Sequence, residues 1–150
     1  MWIRYFIVFC FLITGCAKPN YQDLPITKEI GAHSDNQQFK TTKLYFPNQK
    51  IDVDLTWSEL PAEGKANEFT LKFYLSENAD LPIALSQSVA VSLWMPSMGH
   101  GSSPVKIEKI ADGLYKVTRI YFIMPGDWEI HLQLKENTNV IEQVIQNIRI

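Results

Sequence analysis

Glu68-Phe69-Thr70-Leu71-Lys72-Phe73-Tyr74-Leu75 is the stretch that decides the fold class. Phe69, Leu71, Phe73 and Leu75 alternate with Thr70, Lys72 and Tyr74, and a period of two sends the sets to opposite faces of an extended strand. A helix would scatter the same apolar residues around its circumference. The pattern recurs upstream, where Ile51, Val53 and Leu55 alternate with Asp52, Asp54 and Thr56 between Lys50 and Trp57. Downstream it continues through Val89, Val91, Leu93 and Met95, then Val105, Ile107 and Ile110, then Tyr115 and Val117, then Trp128, Ile130, Leu132 and Leu134. Turn residues separate these runs about every ten positions. Residues 39–150 are therefore expected to form an all-β domain, an antiparallel β-sandwich of about seven to eight strands.

The final segment reads two ways. Val140, Ile141, Val144, Ile145 and Ile148 would line one face of a helix, yet their β-branched content is high. The turn-forming Glu136-Asn137-Thr138-Asn139 stands directly before them, and the expectation is a closing hairpin strand.

The opposite end of the chain has another character. An apolar run starts after Arg4 and includes Ile7, Val8, Phe9, Phe11, Leu12 and Ile13. It is shorter than the ~20 residues a spanning helix needs, so residues 1–15 read as a secretory signal. The ending Ile13-Thr14-Gly15-Cys16 resembles the bacterial lipobox, in which cleavage before the cysteine accompanies acylation of its thiol. That resemblance implies lipidation at Cys16 and a membrane contact made through the lipid. The alternative, an uncleaved anchor helix with Cys16 incidental, is disfavoured by the Lys18-Pro19-Asn20 that follows. Either reading puts the domain outside the cytoplasm. Ala17, where retention signals carry aspartate, points to the outer membrane facing the periplasm.

Residues 16–38 contain Pro19, Pro25, Gly31 and Ser34-Asp35-Asn36-Gln37-Gln38, with too few periodic apolar residues to fold alone. They are expected to form a flexible tether spanning roughly 26 Å root-mean-square. His33 falls within it.

Composition narrows the function classes. The chain has 14 basic and 16 acidic side chains, and removing residues 1–15 takes away Arg4 and Cys10. The remainder is mildly acidic and lacks the clustered Lys and Arg that phosphate backbones demand, so nucleic acid is not an expected partner. Cys16 is then the sole cysteine, which excludes an internal disulfide. Stability must come from a core, and a chain of this size can bury roughly 70 per cent of its unfolded surface.

One loop concentrates soft donors: Trp94-Met95-Pro96-Ser97-Met98-Gly99-His100-Gly101-Ser102-Ser103-Pro104. Thioether sulfur and imidazole nitrogen suit copper, Cu(I) above all, without a thiolate. Pro96 biases Met95 towards an extended conformation, and the glycines flanking His100 free the backbone to bring these side chains together. Topology adds Met124. If residues 89–95 run up, 104–110 run down, Ala111-Asp112-Gly113 turns, and 114–124 run up, Met124 arrives at the loop's end of the sandwich. Like Met95 it precedes a proline, so both are expected to end strands at one rim. His131 should lie some ~17 Å down the next strand, on the polar face with Glu129 and Gln133, and is left out of the site. The competing reading makes Met95 and Met124 core filler and leaves Met98 and His100 on an exposed turn.

Taken in order, Met95-Pro96-Ser97-Met98-Gly99-His100, Gly113-Leu114-Tyr115 and Phe122-Ile123-Met124-Pro125-Gly126-Asp127-Trp128 resemble the YtkA-like domain family of exported bacterial proteins, over roughly residues 40 to 150. The resemblance implies an immunoglobulin-like sandwich outside the cytoplasm. Related domains accompany cytochrome oxidase assembly and heavy-metal handling, so it also implies copper as cofactor, with Met95, Met98, His100 and Met124 as metal ligands and Trp128 in the core. Periplasmic copper carriers typically use His-x-Met, whereas Met98-Gly99-His100 runs in the reverse order.

Catalysis is not expected. The chain lacks a Gly-x-Ser-x-Gly elbow, a His-Glu-x-x-His helix and a phosphate-binding glycine loop. Ser102 is close to His100 in sequence, but no orienting acid accompanies them, since Asp112 belongs to the opposite turn. Two functions remain: a lipid-anchored envelope domain that binds or passes copper at the rim, or a metal-free interaction module, such as an assembly factor, that meets a protein partner at the 94–103 loop.

Overall fold

The computed structural model describes residues 41–150. The signal segment 1–15, Cys16 and the tether 16–38 lie outside the described residues. Ten strands follow in order: β1 (Thr41–Phe46), β2 (Ile51–Trp57), β3 (Asn67–Leu75), β4 (Asn78–Pro82), β5 (Ser88–Met95), β6 (His100–Gly101), β7 (Lys106–Ala111), β8 (Leu114–Ile120), β9 (Asp127–Glu136) and β10 (Asn139–Arg149). The short β4 and β6 carry the count past the seven to eight anticipated.

The alternating runs form the centre of each sheet. In β2 and β3, Val53 lies opposite Phe73, Leu55 opposite Leu71, and Trp57 opposite Phe69, with all six side chains buried. The first sheet has the order β1-β2-β3-β8-β7, with β4 also paired to β3. The second has the order β10-β9-β5-β6, and every named strand pair in both sheets is antiparallel. From the second sheet Leu93, Met95, Trp128, Ile130, Leu132 and Leu134 join the first sheet's aromatics in one core. This is an immunoglobulin-like β-sandwich, sealed at its centre by the removal of large apolar side chains from water. The final segment is a strand over nearly its whole length, paired to β9 from Asn139 to Arg149.

Register assigns each strand end to one rim. Trp57, Asn67, Met95, Lys106, Ile120 and Asp127 mark the same end of the sandwich, which also holds Thr41, paired to Thr56, and Ile150, whose backbone exchanges two hydrogen bonds with Gly126. One sequence expectation changes here. Met95 does end its strand, but β8 stops at Ile120, short of Met124. Arg119 adopts φ 60°, a left-handed conformation that breaks the extended ladder, and the β3–β8 register shifts beside it, between Asn67 and Phe69. Residues 121–126 then cross from one sheet to the other as irregular chain, touching the first sheet's loop through a single bridge from Phe122 to Glu63.

Two buried polar residues hold loops to this frame. The Asn67 amide accepts from the Ala62 N–H and donates to the carbonyls of Ala62, Lys65 and Ile120, fixing the β2–β3 loop. Glu142, next to the β10 bulge, accepts from the backbone N–H groups of Asn48 at 2.9 Å and Gln49 at 3.1 Å, joining the two sheets at the far rim. Charge-assisted bonds of this kind are worth more than neutral ones, and deleting the acceptor strands its donors. Replacing Glu142 with Ala is expected to cost about 2 kcal/mol of unfolding free energy, and Glu142→Gln less. Urea denaturation checks this, and two variants as stable as the parent would contradict the assignment.

Candidate functional site

The hairpin from β5 to β6 builds the rim. Met95 lies directly opposite His100, and Trp94 opposite Gly101. The Met95 carbonyl accepts from the N–H of Met98 at 3.2 Å and of Gly99 at 3.0 Å, closing the tight turn over Pro96 and Ser97. Gly99 sits at φ 65°, a conformation that costs a residue with a Cβ and that lets the chain reverse in so few residues.

Alternation along β5 turns Met95 inward with Leu93, and residues directly opposite across an antiparallel pair share a face. His100 therefore points the same way as Met95. Its ring stands edge-on to buried Trp128, with centroids 6.5 Å apart. Nδ1 lies 3.1 Å from the Gly101 carbonyl oxygen. A carbonyl can only accept, so Nδ1 carries the proton and Nε2 keeps its lone pair in the neutral ring. Tying down one ring nitrogen to set the other free is how metal-binding histidines are usually oriented.

The crossing segment 121–126 reaches the same place by separate ties. Ser102 donates its hydroxyl to the Tyr121 carbonyl, away from His100. The Trp128 indole N–H donates to the Met124 carbonyl at 3.0 Å. Met124 is half-buried against the core, and the Met95 methyl lies so close to Gly126 that a Cβ there would stand 2.5 Å from it. The structure thus brings the His100 ring and the Met124 carbonyl to one indole, with Met95 opposite His100 in the hairpin and against Gly126. Met98 stands apart at the hairpin tip, 56 % exposed, while Met95 is only 4 % exposed. The rim offers a buried thioether, a half-buried one, an exposed one and one imidazole.

Among the described residues no group of three or more His, Cys, Asp or Glu side chains is placed to hold a metal ion. The rim's side-chain donors are instead thioethers and one imidazole, ligand types that soft cations prefer. In donor type, His100 with Met95, Met98 and Met124 is a set that Cu(I) accepts.

His131 lies mid-strand, opposite Ser92 and Ile145 on the outer face of the sheet, with Nε2 2.7 Å from a Glu129 carboxylate oxygen. It takes no part in the rim. Sequence reasoning missed the role of Gly126 and the second role of Trp128. The Met-Pro-Gly-Asp turn was visible as a turn, but that its glycine makes room for Met95 depends on a contact across some thirty positions of chain. Gly126 also adopts φ 141°, which residues with a Cβ rarely populate. Gly126→Ala is expected to lose about 2 kcal/mol of stability, and combining it with Met95→Ala to recover the steric part of that loss as non-additivity. Denaturation of both single variants and the double variant measures this, and strictly additive losses would refute the contact.

A family model described as YtkA-like matches residues 28–133. No curated protein and no solved structure matches the chain. The match begins before the roughly residue 40 anticipated and stops inside β9, leaving β10 beyond it. It spans well over half of the sequence and includes all four candidate donors, so the chain belongs to the YtkA-like family.

Proposed function

We infer that this protein is a lipid-anchored domain of the bacterial cell envelope that binds Cu(I) at the Met95–His100 rim and passes it on. The observation that carries the reading is the cross-strand pairing of Met95 with His100, beside a Met124 segment held by the Trp128 indole. Residues bearing imidazole and thioether come from two separate parts of the chain, and a proton on Nδ1 bonded to the Gly101 carbonyl would leave Nε2 free to coordinate.

Chemistry supports transfer rather than storage. Three thioethers and a neutral imidazole leave the ion's positive charge uncompensated, so such a site holds Cu(I) less tightly than thiolate ligands do and releases it to a stronger acceptor. The exposed Met98 is the ligand free to swing away. Cu(I) itself contributes only its affinity for soft donors; His100 and the methionines supply the selection.

The lipobox-like Ile13-Thr14-Gly15-Cys16 supports lipid anchoring, and Ala17 after the cysteine supports the outer membrane, facing the periplasm, as the destination. The parent chain is expected to incorporate labelled palmitate and Cys16→Ala to lose the label and keep its signal segment, and a parent that takes up no label would reject the lipid anchor. Copper binding is tested by competitive Cu(I) titration of the full chain in detergent. Stoichiometric binding is expected, weakened at least about tenfold by His100→Ala and by Met98→Leu. Binding no stronger than that of an unrelated methionine-containing protein, or insensitive to both changes, would overturn the copper assignment and favour a metal-free protein contact through the exposed Trp94, Met98 and Ile123.

A further inference from the structure

The second sheet has an edge that nothing in the described structure closes. β6 pairs with β5 only at Trp94 and Met95, and Ser102 adds one bond to the Leu93 carbonyl. The carbonyls of Leu93 and Met95 both point to the β6 side, and backbone groups of residues two apart point the same way. The N–H and C=O groups of Val89 and Val91 therefore face outward along the remaining edge, while Ala90 and Ser92 bond to β9. Among the described residues none of those four groups has a backbone partner.

The side chains agree with the backbone. Val89 and Val91 face inward, opposite fully buried Leu134 and Leu132, yet both remain half-buried. Beside them runs a groove of about 320 Å³ between β5 and the segment leading into β7, lined across from the valines by Pro104, Val105 and Ile107. Sheet edges normally defend themselves with charge, proline or a bulge. The edge of β7 does so, through the ion pairs Lys106–Glu108 and Lys109–Asp112. The stretch Ser88-Val89-Ala90-Val91-Ser92 has neither charge nor proline.

We propose that the β5 edge is a docking groove for an extended, uncharged segment of a partner protein, which adds as a strand beside Val89–Val91 and sets alternate apolar side chains against Val105 and Ile107. An extended backbone satisfies the four unpaired groups, and every second side chain falls into the groove. A second copy of the domain is a poorer occupant. Only five residues of edge are open, and two folded sheets meeting over that length bury far less than the roughly 1,000 Å² a stable dimer needs. The recessed groove also admits one strand more readily than a second sandwich. This docking groove is independent of copper binding at the rim.

The test uses the full chain and an acetylated, amidated peptide of alternating valine and threonine capped by lysines. In the free protein, the amides of Val89 and Val91 should exchange hydrogen at least about tenfold faster than those of Ala90 and Ser92. Peptide addition should shift the amide resonances of residues 88–93 and 103–107 and slow exchange at Val89 and Val91. Methylating the peptide's alternate amides should weaken binding at least about tenfold, and Val91→Pro, which removes one edge N–H without touching the β9 ladder, should do the same. Absence of shifts at these residues, equal binding of the methylated peptide, or protected Val89 and Val91 amides in the free chain would each overturn the proposal.

Discussion

Trp128 has to bury a large ring and still give its indole N–H a partner, and the whole rim depends on how it does both. The ring packs against Phe122 with centroids 5.5 Å apart and against His100 at 6.5 Å, while the N–H reaches the carbonyl of Met124. One side chain in the second sheet thereby fixes the segment arriving from the first sheet and backs the hairpin that carries the imidazole. Further along, Phe122 touches Trp57, and Trp57 touches Phe69. The aromatic chain runs from the donor rim straight into the centre of the core. The copper site proposed for this rim has no charged ligands and so little electrostatic energy with which to organise itself. Its donors must be positioned by packing, and here the packing is aromatic.

The strands that could be read in advance are those whose two faces differ in solvent exposure. Val53, Leu55, Phe69, Leu71 and Phe73 alternate with polar neighbours because one face of each strand is core and the other is water. Where that asymmetry fails, legibility fails. β4 exists because it pairs with β3, and β6 because it pairs with β5; two residues have no periodicity to read. The end of β8 was misplaced because Arg119, an ordinary-looking residue, takes a positive φ that sequence pattern does not announce. At the site, residue chemistry pointed to Met95, Met98, His100 and Met124, while topology placed Met124 at the right rim. What it could not supply were contacts between positions far apart in the chain, such as the Met95 methyl on Gly126, or the carboxylate of Glu142 gripping the turn after β1.

The two sheets are finished differently at their margins. Along one side β1 and β10 approach one another, and Glu142 ties β10 to the turn that follows β1. Along the other, β5 and β7 come near each other without a ladder or a polar tie among the described residues, leaving half-buried valines and isoleucine between them. The difference follows from the hairpin itself: the chain leaves β5 to make the donor turn, returns for only two paired residues, and then departs for the opposite sheet. A longer β6 would have closed that side of the sandwich.

Thr41 and Ile150, the first and last described residues, both lie at the rim that carries the soft donors. Any chain joined to the domain at either point emerges at the pole that carries His100 rather than at the far one.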